Sequence, residues 1–147
     1  MITNEREYRV TKEWAKKFAD AATHVDENVM PDPILRKALR ESYESEAEIL
    51  RAQIAEYEAL RDGRIAILEL NSLAELPDAL IRARIAAGLT QKGLAALLGL
   101  KEQQIQRYEA TRYAGASLTR IQAVADALGI TIQERVSLPT AATEQGR

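Results

Sequence analysis

Residues 90–109 read TQKGLAALLGLKEQQIQRYE, and they carry the clearest structural pattern in the chain. Two short apolar patterns of helical spacing flank Gly99, which suits the turn between them. Two helices that cross steeply over a short turn need a small residue where their backbones approach, and Ala95 meets that need. The apolar positions that would hold the second helix against the first are Leu94, Leu98, Leu100, Ile105 and Tyr108. The stretch therefore predicts a helix-turn-helix unit.

At these positions the stretch resembles the Xre/Cro family of phage-repressor-like regulators. The preceding LPDALIRARIAAGL, residues 76–89, resembles the first helix of that family. The resemblance covers residues 76–130 and implies an all-α, lambda-repressor-like domain that binds double-stranded DNA. Gly93 departs from the family pattern, since it is a glycine at an internal helix position. It lowers the local helix stability by about 1 kcal/mol relative to alanine.

The second helix of the pair lies in the major groove in this family and presents its first residues to base edges. Here that helix begins near Lys101, and Ile105 and Tyr108 turn inward. The outward side chains expected to read bases are Glu102, Gln103, Gln106 and Arg107. Glutamine can pair with adenine and arginine with guanine, and a carboxylate can accept from the cytosine amino group. Gln104 is expected at the edge of this surface.

A second set of residues is expected to contact phosphates. Gln91 matches the family position at the start of the first helix of the pair, where side-chain and backbone amides meet the DNA backbone. The other candidates surround the loop after the second helix: Lys101, Arg112, Tyr113 and Arg120. Each is equally compatible with an exposed side chain that binds nothing. Arg82 and Arg84 are weaker candidates.

Helix-terminating glycines and N-cap residues along the C-terminal half predict four short helices from Pro77 onward. Gly88 and Gly129 suit helix C-termini, whereas Thr90 and Ser117 suit N-caps. Residues 130–138 alternate apolar and polar side chains, which predicts one short strand.

The N-terminal half predicts two helices. Thr11 can cap the first, and Asp32 followed by Pro33 can start a second that runs to Gly63. Its apolar stripe calls for a partner helix, which favours a helical hairpin or a dimer arm over an extended coiled coil. The stripe consists of Leu35, Leu39, Tyr43, Ala47, Leu50, Ile54, Tyr57 and Leu60. Residues 65–70 read as a strand or an extended linker.

Composition excludes several classes of site. The chain of 147 residues has no cysteine and one histidine, His24, so thiolate zinc sites and most catalytic triads are excluded. The net charge of -2 is uneven: residues 1–75 carry 11 basic and 16 acidic residues, and residues 76–147 carry 9 and 6. The basic half is the one expected on DNA, because the local field steers binding. We expect no metal, cofactor or catalytic residue, and a soluble cytoplasmic protein.

These features together predict a mainly α protein with four parts. They are an N-terminal helical region for dimerisation or partner binding at 1–63, a linker at 64–76, the DNA-binding domain at 77–138 and a flexible tail at 139–147. The function expected is a sequence-specific regulator, a homodimeric repressor whose subunits join through residues 1–63 or 130–138. The alternative is an antitoxin that represses its own operon and binds a toxin through its acidic half. An enzyme is the least favoured class, because the paired carboxylates of the long helix have no burying environment.

Overall fold

The computed structural model describes residues 1–140, and its N-terminal part is a hairpin of two helices, α1 (Glu5–Thr23) and α2 (Pro33–Arg61). The Asp32 carboxylate accepts from the N–H groups of Ile34 and Leu35 at 2.8 and 3.0 Å, so the predicted start of α2 is confirmed. The predicted start at Thr11 is wrong. The Asn4 side chain accepts from the N–H of Glu7 at 2.9 Å and starts α1 about two turns earlier.

The partner of the apolar stripe on α2 is α1 of the same chain. Tyr8 stacks on Tyr57 with ring centroids 5.1 Å apart, and Phe18 lies 6.1 Å from Tyr43. The contacts join the start of each helix to the later part of the other, so the two helices run antiparallel. Of the two predicted arrangements, the chain forms the hairpin, and the stripe is covered without a second subunit except at Leu35, which is 55% exposed.

The second half consists of four short helices, as predicted. They are α3 (Leu76–Ala86), α4 (Gln91–Leu98), α5 (Glu102–Ala110) and α6 (Leu118–Leu128). The hydroxyl oxygens of Thr90 and Ser117 accept from the N–H groups of Gly93 and Arg120 at 2.9 and 3.1 Å, which confirms both N-caps. Gly129 closes α6 with φ +65°, a conformation that costs glycine no side-chain clash.

Residues 65–70 and 130–140 are extended. The strand predicted at 130–138 is not formed: within residues 1–140 there is no strand for it to pair with, and a strand needs a ladder of backbone hydrogen bonds. The fold class is therefore all-α. From residue 141 onward the predicted tail lies outside the described residues. None of the helices within residues 1–140 is long and apolar enough to cross a bilayer.

One hydrophobic core joins the hairpin to the four short helices. Ile2, Tyr57 and Leu60 belong to the same buried cluster as Leu80 and Ile81 of α3. On the hairpin side of α3, Arg82 pairs with Glu56 of α2 at 2.7 Å. The extended residues 64–70 separate the two parts along the backbone, whereas their side chains share one interior.

A buried ion pair lies where these parts meet. Arg84 is 2% exposed and Glu109 is 6% exposed. The Arg84 Nε and Nη2 atoms donate to the two Glu109 carboxylate oxygens at 2.5 and 3.0 Å. The guanidinium also donates to the carbonyl oxygens of Leu89 at 2.8 Å and of Thr3 at 2.6 Å. The Gln91 side chain donates to Glu109 at 2.7 Å. One guanidinium thus connects α3 to α5 and to the N-terminal arm, residues 1–4, which precedes α1.

We expect Arg84→Met to lower the free energy of unfolding by roughly 3–5 kcal/mol, because it leaves the Glu109 charge buried without its partner. Urea denaturation measures the loss. Arg82→Met is the matched control: its ion pair with Glu56 is partly exposed, and such pairs contribute about 0–1 kcal/mol. Equal losses in the two variants would contradict the role given to Arg84.

Candidate DNA interface

The two central helices pack as a helix-turn-helix requires. Leu94, Ala95 and Ile105 are 0%, 2% and 0% exposed, so the predicted wedge between α4 and α5 is buried. Gly99 has φ +67° and ends α4, and the N–H of Leu100 donates to the Ala95 carbonyl at 2.9 Å. The turn therefore follows from local residues that the sequence displays.

Gln104 helps to cap the N-terminus of α5, the second helix of the pair. Its side-chain oxygen accepts from the N–H of Lys101 at 3.0 Å, one of the two bonds of a capping box. The sequence predicts this residue only at the edge of the recognition surface. Its position three residues after the N-cap was the signal for this role, since glutamine is favoured there.

The four residues predicted to read bases share the outer side of α5. Glu102, Gln103, Gln106 and Arg107 are all exposed, while Ile105 and Glu109 point inward. Gln106 Nε2 donates to Glu102 Oε1 at 3.3 Å, a weak bond at the surface. Within residues 1–140, the side chains of Gln103 and Arg107 make no hydrogen bond or ion pair. The outer side of α5 thus offers donors and acceptors to a ligand.

Four of the five phosphate candidates lie at different depths around this helix. Lys101 is exposed at the start of α5, and Arg120 is half-buried in the first turn of α6. Arg112 is exposed and its guanidinium binds the Asp78 carboxylate at 3.0 Å. The Gln91 side chain faces inward and donates to Glu109. The group of this residue that a phosphate could meet is therefore its backbone N–H, at the amino-terminal end of α4.

Tyr113 differs from the other candidates because it is 4% exposed. It follows Arg112 in a left-handed backbone turn, with φ values of +50° and +55°, which directs the ring inward. The ring stacks on Tyr108 with centroids 5.5 Å apart. Its hydroxyl is buried and has no hydrogen-bond partner in the described part of the chain. The buried hydroxyl distinguishes Tyr113 from the exposed candidates, and its predicted contact with a phosphate stays a prediction.

Burial raises the pKa of Tyr113 to about 12, and the nearby negative charge of Glu109 acts in the same direction. The phenol is therefore stabilised in its neutral form. Because the folded-state pKa lies above the unfolded value, this contribution to stability is complete below pH 10 and is lost as the pH rises toward 12.

We expect Tyr113→Phe to leave the free energy of unfolding at neutral pH unchanged, or to raise it by about 1 kcal/mol, because it removes an unpaired buried hydroxyl. Between pH 10 and 12 the variant should gain on the wild type by up to roughly 1.4 kcal/mol per pH unit. Denaturation across this range measures both effects, with Tyr108→Phe as the control for its stacked, less buried neighbour. A large loss at neutral pH would show that the hydroxyl has a partner.

Comparison with known proteins agrees with this geometry. Residues 80–135 match the family model described as Helix-turn-helix, a range that includes α4, α5, α6 and most of α3. No curated protein and no solved structure matches the chain. Residues 80–135 are therefore similar to a helix-turn-helix domain, in agreement with the packing of α4 against α5.

Proposed function

We propose that the protein is a sequence-specific transcriptional regulator of the Xre type that reads the major groove of double-stranded DNA with α5. The observation that carries the proposal is the division of α5 into two sides. Ile105 and Glu109 anchor the helix, and the opposite side presents two amides, a guanidinium and a carboxylate to solvent. These groups match the hydrogen-bonding patterns of base edges in the major groove.

Phosphate contacts would set the height and register of this helix on the duplex. We assign them to the side chains of Lys101, Arg112 and Arg120, and to the backbone N–H groups at the start of α4, near Gln91. Arg112 has to exchange Asp78 for a phosphate, which is feasible because the guanidinium is 69% exposed. The excess of basic residues in the C-terminal half supplies the favourable field.

A dimeric repressor is the most economical form of such a regulator. A single domain of this kind contacts only a few base pairs, and two copies on half-sites about 34 Å apart gain affinity and read a palindrome. Binding at a promoter would then block transcription of the adjacent genes. The proposal includes a cytoplasmic location, because a regulator has to meet the DNA that it binds.

An antitoxin that represses its own operon is the second candidate, and the hairpin supports it. Trp14 is 49% exposed beside Phe18, so an aromatic surface remains on α1 after the hairpin forms. Glu41, Glu44 and Glu48 are exposed on α2 at helical spacing. The acidic side chains of α2 suit a basic protein partner. Lys17 lies over the Trp14 ring, 4.8 Å from its centroid, so Trp14 would supply an aromatic contact rather than an acidic one.

We expect a protein encoded next to this gene, if the second candidate is right, to be small and basic and to copurify with the full chain. Trp14→Ala should weaken that complex at least tenfold, as removal of a central aromatic contact does. Val29→Ala, at a site 59% exposed in the loop between the helices, should not. Calorimetric titration measures the two affinities, and a neighbour that binds both variants equally well contradicts this use of α1.

We expect Gln103→Ala to cost about 1–3 kcal/mol at one base pair of the cognate site and little when that pair is changed. Lys101→Ala should instead weaken binding to all duplexes alike and reduce the slope of log affinity against log salt by about 1. The site is found first, by footprinting upstream of the gene and by selection from random duplexes.

Fluorescence anisotropy at several stated salt concentrations then separates the two effects. Uniform losses from both variants would remove α5 as the reading element. Base-specific losses from Lys101→Ala with none from Gln103→Ala would reverse the two roles.

A further inference from the structure

An apolar groove lies on the surface away from α5. Its two rims are residues 65–73, which end in the first residue of a short 3-10 helix, and residues 130–137, and its floor is formed by α3 and the ends of α2 and α6. The groove has a volume of about 1080 Å³. No residue of α4 or α5 lines it, so a partner seated there leaves the proposed reading surface open.

The rims of the groove hold large apolar side chains in solvent. Ile67 and Leu73 on one rim are 77% and 70% exposed, and Val136 on the other is 79% exposed. Such a concentration of aliphatic side chains on two facing segments is typical of a protein interface. The apolar stripe of α2, by contrast, is already covered by α1 except at Leu35.

Most of the described backbone of the two rims is unpaired; the exceptions are the N–H groups of Asn71 and Ile130 and the carbonyl of Ser72. Within the described part of the chain, residues 65–70 and 131–139 make no backbone-to-backbone hydrogen bond. Extended segments with free N–H and C=O groups pair readily with an extended segment of another chain. The alternation of apolar and polar residues at 130–138, which failed to form a strand in the single chain, is the pattern that such pairing uses.

The charges of the groove point to a second copy of this chain as its occupant. Its charged lining residues are Glu69, Arg82, Glu134 and Arg135, two acidic and two basic. A strongly basic or acidic partner would meet as much repulsion as attraction there. In a two-fold contact each surface meets itself reversed, so a balanced set can bring acidic groups of one copy to basic groups of the other.

We propose that two copies of the chain associate over this groove, with residues 130–138 of each copy pairing across a two-fold axis. The inference rests on the proposed function for its biological purpose, since two reading helices are needed for a palindromic site. It places the dimer contact on the strand-like segment, one of the two segments that the sequence left open, and leaves the hairpin free for another partner.

The test is the mass of the full chain in solution, measured by sedimentation equilibrium without DNA. The wild type should sediment at twice 16.3 kDa. Val136→Glu and Ile67→Glu place charges in the contact twice per dimer and should each shift the protein to a monomer. Ile34→Glu is the matched control, because Ile34 is 79% exposed, as is Val136, but lies at the start of α2; it should remain a dimer.

The three substituted side chains are all exposed, so their replacement should leave the fold intact, and circular dichroism checks that each variant keeps its helices. A monomeric wild type overturns the proposal. So does a dimer that survives both groove substitutions or that dissociates with Ile34→Glu.

DNA binding separates this inference from the proposed function. A monomeric Val136→Glu should bind a single half-site as the wild type does and lose at least tenfold in affinity for the full palindrome. If the wild type is monomeric and still binds its site, with an affinity that Gln103→Ala lowers, the dimer is contradicted and the proposed regulator is supported. A dimer that binds no duplex would do the reverse.

Discussion

The buried guanidinium of Arg84 is the constraint on which the rest of the structure depends. A charge in an apolar interior is tolerated only when it is paired and its donors are satisfied. Here the acceptors are Glu109 from α5, the Leu89 carbonyl before α4 and the Thr3 carbonyl from the N-terminal arm. Moving any of these elements would strand a buried charge or a buried donor. The position of α5, and with it the proposed reading surface, is therefore set by a bond at the inner side of the helix.

The same network explains why the N-terminal hairpin is more than an appendage. Thr3 reaches Arg84, and Ile2, Tyr57 and Leu60 complete the core beneath α3. Deleting the hairpin would expose this core and unpair the guanidinium, so single surface substitutions are the informative way to ask what each half does. The hairpin uses its apolar stripe internally, and this is why the proposed contact between subunits falls on the extended segments.

Three parts of the described surface differ in their chemistry. The outer side of α5 carries polar groups with few internal partners, the groove carries aliphatic side chains and unpaired backbone, and the hairpin carries Trp14 with acidic residues of α2. Each chemistry suits a different partner: base edges, a second copy, and a basic protein. Because the three surfaces do not overlap, the proposed DNA contact and the proposed protein contacts can exist together.

The sequence by itself determined the features that depend on neighbours along the chain. Helical spacing and capping act over a few residues, and several features follow from them. These are the four short helices, the caps at Asp32, Thr90 and Ser117, the turn at Gly99 and the outward set on α5. Only the tertiary structure decided which partner covers α2, that residues 130–138 find no strand within residues 1–140, and that Tyr113 points inward. It also decided between two arginines of α3: helical spacing from Leu80 and Ile81 puts Arg84 on the apolar side, but the acceptors that make its burial possible come from residues 3, 89 and 109. Contacts between residues distant in sequence leave no periodic signal, and so they become visible only when the chain is folded.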